Sequence, residues 1–300
     1  MTNTSSKKIL IDTDLGDDID DSAALIMALN SPELEIIGIT TVYLDTLKRA
    51  EMVLELCSKY GRSDIPVCAG YGRAIIERYD GEMEPIQYGI LEKKRKDQII
   101  TDCDAADFII RQVKECQDLT IIAIGCMTNL GIAFLREPEI MKQAKIVAMG
   151  GVFSACYPEW NIKCDPEAAR IVMDYADHLE MFGLDVTKHC LIQDAEMDIL
   201  WPEENERMQY YKKGVRLFRE KTGYVYTLHD ALVIAYLLDA DVVKMEQSDF
   251  TVELSGTNTR GAVVLKTNVY NLHTEVEKEF YYAQSIDVEK FRKLVKERIY

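Results

Sequence analysis

Between residues 8 and 184 the chain alternates short apolar runs, rich in β-branched residues, with longer amphipathic stretches, and this alternation limits the fold more than any other feature. The runs at 8–11, 34–42, around Val67, 119–124, 145–149 and 179–184 read as strands buried on both faces. Helical spacing fills the intervals at 20–30, 47–60, 105–116, 127–135 and 165–175. Strand followed by helix followed by strand implies βαβ units, and so a mostly parallel central sheet with helices on both faces. The stretch at 70–96 is irregular and mixed in charge, and is expected as a surface excursion beside a site. Beyond Gln193 the pattern becomes helical, with a long charged segment at 203–221 and a strongly apolar one at 230–238. A β-hairpin is expected over 250–265, turning near Ser255-Gly256, and a last helix over 288–298. No linker, repeat or low-complexity tract interrupts the chain, so residues 1–300 are expected to form one α/β domain.

The first strand runs into Asp12-Thr13-Asp14-Leu15-Gly16-Asp17-Asp18-Ile19-Asp20-Asp21, six aspartates within ten residues, and an apolar helical pattern follows at once. Crowding of this kind is unfavourable unless a cation or strong donors neutralise the carboxylates. Capping and the helix dipole account for Asp20 or Asp21, each worth ~0.3–1 kcal/mol, but not for four further acids in the same turn. A divalent metal site at the carboxyl end of a buried strand is therefore expected. Oxygen ligands without a paired histidine or cysteine favour Ca2+ or Mg2+ over zinc. An EF-hand does not fit: the glutamate its loop needs at the twelfth position is Ala23 counted from Asp12 and Leu25 counted from Asp14.

Composition narrows the partners. A chain of 300 residues that is 48% hydrophobic can bury a substantial core. A net charge of −16 opposes nucleic acid or an anionic membrane as the principal partner, but not an uncharged nucleoside. The eight cysteines show no CxxC spacing and mostly sit in apolar runs, as expected of buried thiols in a reducing cytosol. The start lacks a signal h-region and no apolar run approaches the ~20 residues of a membrane span, so a cytoplasmic protein is expected.

Ligands of open α/β sheets bind outside the carboxyl ends of the strands. Polar residues collect there at five of the expected strands: the aspartates, then Thr40, Thr41 and Asp45, then Gly125, Thr128 and Asn129, then Glu159 and Asn161, then Asp185 and Thr187. Glu159 and Asn161 suit sugar hydroxyls. His229-Asp230 opens an apolar helix, either as its cap or as a carboxylate and a proton donor brought to the site from afar. Tyr224 and Tyr226 are either a stacking wall for a base or half-buried core, and Tyr226 is assigned to the substrate.

Taken in order, the segments DTDLGDDIDD (12–21), GITTV (38–42), GRSDIPV (61–67), AIGCMTNLG (123–131), MGG (149–151), EWNIKCDPEAA (159–169), LDVT (184–187), HDAL (229–232) and TRG (259–261) make the chain resemble the inosine-uridine preferring nucleoside hydrolases over most of its length. The resemblance implies Ca2+-dependent hydrolysis of the N-glycosidic bond of a ribonucleoside by a homodimer or homotetramer. It carries calcium to Asp14, Asp21, the Ile124 carbonyl and Asp230, and the ribose to Asp20, Asp45, Glu159 and Asn161. Asp12, Asp18 and Asn129 are expected directly behind these groups. Asp14 is expected as general base for a water held by the ion beneath the anomeric carbon, and His229 as the group that assists the leaving base. A ring of carboxylates would stabilise an oxocarbenium-like transition state.

The chain departs from the family pattern in three places. The aspartate loop is two residues longer than D-x-D-P-G-x-D-D. Anchoring it on the helix start selects Asp20 and Asp21, whereas anchoring it on Asp14 leaves Asp18 as the alternative ligand. The family's Gly-Asn after the second strand reads Leu44-Asp45, and the 150–159 loop lacks an N-x-T-P element. These departures leave a second function open, a Ca2+-dependent ribose- or nucleoside-binding protein without turnover. Phosphoryl transfer on a haloacid-dehalogenase-like fold also starts from Asp-x-Asp, but a threonine normally follows there. Here that position is Gly16, and no later Lys then Asp-Asp is evident.

Overall fold

The computed structural model describes residues 6–77, 84–202, 204–266 and 278–299. The first half builds β1 (Lys7–Thr13), α1 (Asp20–Leu29), β2 (Leu34–Thr41), α2 (Thr46–Lys59), β3 (Val67–Ala69), β4 (Ile99–Ile100), α3 (Ala105–Glu115), β5 (Thr120–Ala123) and α4 (Thr128–Arg136). There follow α5 (Pro138–Met141), β6 (Lys145–Met149), α6 (Trp160–Cys164), α7 (Pro166–Tyr175), β7 (His178–Phe182), α8 (Leu184–Thr187), α9 (Asp194–Leu200) and α10 (Glu206–Thr222). The chain ends with α11 (Ala231–Leu238), β8 (Val243–Gln247), β9 (Phe250–Val252), β10 (Val263–Leu265), β11 (Glu279–Ile286) and α12 (Val288–Arg298).

Nine strands form one sheet in the order β4-β3-β2-β1-β5-β6-β7-β11-β8. Every neighbouring pair is parallel except β11 with β8 at one edge. Alternate residues of the central strands serve opposite faces: Ile9, Ile11, Ile122 and Val147 pack on one side, Leu10, Ile121, Ile146 and Ala148 on the other. Helices α1, α11 and α12 cover the first face and α3, α4 and α7 the second. The strands are therefore buried on both sides, and their sequences are apolar for that reason. The expected α/β architecture is the one observed.

The hairpin at 250–265 is present as β9 and β10, paired antiparallel from Val252 with Val263 to Phe250 with Leu265. Three expectations need correction. The charged segment expected as one helix over 203–221 is α10, preceded by a separate α9, and residue 203 lies outside the described residues. Strands β8 and β11, which extend the sheet beyond β7, were not expected. Their outward residues include Lys244, Glu246, Gln284 and Ser285, so neither carries a long apolar run. The two-residue β4, just beyond the stretch taken as irregular, was not expected either. Among the described residues no helix is long and apolar enough to cross a membrane.

Candidate active site

From β1 the sheet grows in one direction through β2, β3 and β4, then resumes on the other side at β5. The crevice at the carboxyl ends of β1 and β5 is the switch point at which an open α/β sheet leaves room for a ligand. The aspartate loop crosses this crevice. Thr13, the last residue of β1, donates from its hydroxyl to Asp21 and accepts from Leu15 N at 3.1 Å, which fastens the start of α1 to the strand. Asp20 Oδ1 accepts from Asp21 N at 3.2 Å, and the Asp20 carboxylate also accepts from the Asp230 main chain. Asp230 stands at the cap position of α11, yet its side chain caps nothing. One carboxylate oxygen each from Asp20, Asp21 and Asp230 lie within 4.8 Å of one another, and all three residues are buried.

Asp14 is half-buried in the same cleft, outside that tight group. The loop after β5 comes close to it: a Cβ on Gly125 would lie 2.9 Å from Asp14 N and 3.0 Å from Asp14 Oδ1, so only glycine permits the approach. The Ile124 carbonyl accepts from Asn161 Nδ2 at 3.3 Å. Glu159 caps α6, its Oε1 accepting from Asn161 N at 2.8 Å and its Oε2 from Gly151 N at 3.0 Å and Ile162 N at 3.2 Å. Three of about four acceptor positions on that carboxylate are thus engaged by the main chain, and one is left for a ligand. Behind the loop, Asp12 Oδ1 accepts from Thr40 Oγ1 at 2.6 Å and Asn129 Nδ2 at 2.7 Å, while Asp12 Oδ2 is buried without a partner.

The cleft holds about 460 Å³. The aspartates, Ile124, Glu159, Asn161 and His229 form its polar part; Tyr43, Ile86, Trp160, Leu184, Phe218 and Tyr224 form its apolar walls. A larger cleft of about 600 Å³ lies between α2 and the start of α10, but its charges are matched internally, Lys59 pairing with Glu55, Glu92 and Glu206.

Electrostatics set the acid cluster apart. Burial pushes Asp20, Asp21 and Asp230 well above the ordinary carboxylate range, and their mutual charges add to the effect. Burial raises Asp12 and Asp14 to about 7, and in Asp14 the Arg49 guanidinium offsets part of the rise. Burial also raises Glu159 against the pull of its main-chain donors. Buried, mutually repelling, oxygen-only donors suit a hard divalent cation such as Ca2+, which these residues could hold.

Asp20, expected at the ribose, stands within the acid group with Asp21 and Asp230, and the places of Asp18, Asp45 and Tyr226 also differ from expectation. Asp18, the alternative ligand, stands exposed at the cleft edge and accepts from Ile19 N at 2.6 Å, so the longer loop sends Asp20 and Asp21 inward instead. Asp45 does not line the cleft: it caps α2, accepting from Lys48 N at 3.1 Å, with Lys48 Nζ 3.2 Å away. Leu44, where the family carries glycine, adopts φ 55° beside Tyr43 at φ 71°, and Tyr43 rather than Asp45 faces the cleft. Tyr226 is fully buried core, edge-on to Tyr211 at 6.4 Å with no partner for its hydroxyl, and the cleft wall is Tyr224, which is 71% exposed. His229 does lie in the cleft, but burial lowers it to about 4, so it enters neutral water chemistry as an uncharged imidazole. Its Nδ1 pairs with Thr187 Oγ1 at 2.8 Å, leaving Nε2 for the cleft.

Arg49 was missed altogether. It follows the apolar stripe of α2, three and four residues before Met52 and Val53, a position where an arginine requires buried acceptors.

Residues 9–293 match the family described as inosine-uridine preferring nucleoside hydrolase. A probable uridine nucleosidase 2 of Arabidopsis thaliana is 30% identical, with 88% of this chain and 87% of that protein aligned. The inosine-uridine preferring nucleoside hydrolase of Crithidia fasciculata is 28% identical over 96% of each. Among solved structures, a purine-preferring ribonucleoside hydrolase from Gardnerella vaginalis superimposes with a TM-score of 0.83 at 29% identity, covering 98% of both chains. A plant nucleoside hydrolase gives 0.84 at 25% identity, again over 98% of both. With the fold, the switch-point cleft and these likenesses in agreement, the chain belongs to the inosine-uridine preferring nucleoside hydrolase family and is an enzyme, an N-ribohydrolase.

Proposed function

We propose that this enzyme hydrolyses the N-glycosidic bond of a ribonucleoside with the help of Ca2+. The observation that carries the proposal is the convergence of Asp20, Asp21 and Asp230 in a cleft shared with Asp14 and the Ile124 carbonyl. Asp20, Asp21 and Asp230 would hold the ion, with Asp14 and the Ile124 carbonyl completing the oxygen donors around it. When bound, the ion supplies a Lewis acid that lowers the pKa of water and matches the ribose diol.

Every other step belongs to side chains. Asp14, in the cleft beside the acid group, is the carboxylate that takes the proton of the attacking water. Attack at the anomeric carbon forms a C–O bond and breaks the C–N bond, whose electron pair leaves with the base. The surrounding carboxylates stabilise positive charge developing on the ribose ring. Glu159 and Asn161 orient sugar hydroxyls, and Trp160, Phe218 and Tyr224 supply apolar walls for the base. His229 offers Nε2 to the departing base as a neutral hydrogen-bonding group.

Base release from a panel of purine and pyrimidine ribonucleosides, followed by absorbance with and without chelator, tests the reading. Turnover that chelation abolishes and Ca2+ restores supports it. Calorimetric binding of ribonucleosides with no turnover on any of them would instead establish a nucleoside-binding protein.

A further inference from the structure

Arg49 sits in the first turn of α2 and is 0% exposed. Its guanidinium spans the loops that follow β1 and β2. Nε donates to the Tyr43 carbonyl at 2.7 Å, and Nη1 donates to the Asp14 carbonyl and to the Leu15 carbonyl at 3.1 Å. Nη2 donates to Asp17 Oδ2 at 2.6 Å. The Asp17 carboxylate reaches onward, its Oδ1 accepting from Ile86 N at 3.2 Å. Gln87, 1% exposed, closes the same unit: its main-chain N donates to the Gly16 carbonyl at 2.8 Å and its Nε2 to the Asp18 carbonyl at 2.6 Å. Gly16 itself takes φ 128° and packs against Pro85 and Met52.

From this geometry we infer that Arg49 is a positioning residue, fixing the main chain of Asp14 and, through Asp17, the cleft wall at Ile86. The inference rests on the reading of Asp14 as the general base. A planar fork suits the task because it satisfies three carbonyls and a carboxylate in set directions, which an ammonium cannot do. Those interactions fall on residues 14–18, the part of the loop that is longer than the family pattern. Extra chain length there would otherwise let Asp14 wander, and a misplacement of about 1 Å costs on the order of 10²-fold in rate. The same ties make one cleft wall move with the base: Ile86 cannot withdraw without breaking the Asp17 bridge.

The test compares Arg49→Lys, which keeps the charge and loses the fork, with Asp17→Asn, which leaves the guanidinium in place and weakens only the bridge to Ile86. Three quantities are read: kcat and KM on the best ribonucleoside substrate, Ca2+ binding by calorimetry, and amide exchange in residues 14–18 and 85–88. Arg49→Lys should lower kcat by about 10²-fold while KM changes only a few-fold, and should speed exchange in both segments. Asp17→Asn should speed exchange mainly in 85–88 and shift KM more than kcat. Wild-type kcat in Arg49→Lys, or a loss of kcat with unchanged exchange in 14–18, overturns the inference. If Arg49→Lys fails to fold, unchanged exchange in 85–88 of Asp17→Asn overturns it equally. If the wild-type protein turns over no nucleoside, it is the general-base reading that fails, and the exchange data still decide whether Arg49 positions the loop.

Discussion

Replacing Asp230 with asparagine removes one negative charge from the buried group at nearly constant shape, and it should stabilise the metal-free protein. Nothing is orphaned by the change, since the Asp230 carboxylate caps no helix N–H, and the new amide can donate to the neighbouring carboxylates. One oxygen of Asp230 lies within 4.8 Å of one on Asp20 and one on Asp21. At an effective dielectric constant near 20, two unit charges at such a distance repel by roughly 3.5 kcal/mol. The carboxyl escapes part of this repulsion by holding its proton to higher pH, a tendency set first by burial and then by Asp20 and Asp21. An acid whose folded pKa is raised binds its proton more tightly in the native state. Its cost is therefore absent below the ordinary carboxylate pKa, grows as pH rises above it, and is complete only above the raised value.

At pH 8, with calcium chelated, Asp230→Asn should raise the unfolding free energy by about 2 kcal/mol, roughly half of one full pair repulsion. The gain should shrink towards zero near pH 4. Urea titration followed by tryptophan fluorescence measures it. In saturating Ca2+ the order should reverse, because wild-type protein gains about 2.7 kcal/mol at a hundredfold excess of ion over Kd and the variant gains less. A variant less stable than wild type at pH 8 in chelator would refute the reasoning. The carboxylate would then be held by favourable bonds, and the cluster would not be poised for a cation.

Asp14→Asn should lower kcat by about 10²–10⁴-fold with KM nearly unchanged, and steady-state kinetics showing full kcat would remove Asp14 as general base. Tyr226→Phe should leave KM unchanged and stability within about 1 kcal/mol, since its buried hydroxyl has no partner, whereas Tyr224→Ala should raise KM several-fold. A KM effect at Tyr226 would return that ring to the site. Asp104 caps α3; burial alone would raise it, but hydrogen bonds from Arg136 and Tyr71 outweigh burial and lower it to about 2. Its stabilising share is present above the ordinary carboxylate pKa and is lost as pH falls towards 2. With both side chains 37% exposed, Arg136→Met should cost no more than about 1 kcal/mol at pH 6 and clearly less at pH 2, which urea midpoints at the two pH values will show.

Hydrophobic runs located β1 to β3 and β5 to β7 because those strands are covered on both faces and must be apolar throughout. The same criterion passes over β8, where Val243 is buried and Lys244, Glu246 and Gln247 face outwards, although its main chain pairs with β11 from Val243 to Gln247. The site divides in the same way. Charge crowding made the acid cluster legible, since four carboxylates beyond the capping pair had no local explanation. Side-chain direction within loops was not legible. Tyr224 and Tyr226 would share a face if the chain were a strand there, but only an isolated bridge from Thr227 to Leu191 forms, and one ring turns outward while the other enters the core.

The choice among Asp18, Asp20 and Asp21 was nonetheless within reach of the sequence, through a residue that lies far from the aspartates along the chain. Arg49, Met52, Val53 and Leu56 share one helical face, and all are buried. An arginine in that stripe cannot remain unpaired, so at least one acid of the adjoining strand-end loop had to turn towards α2. Asp17 does so. Once Asp17 faces α2, the loop turns outward at Asp18, and the next acids to re-enter the crevice are the two at the start of α1. The two extra residues therefore leave the inward pair intact, because the added length is taken up by a segment with its own buried counter-charge.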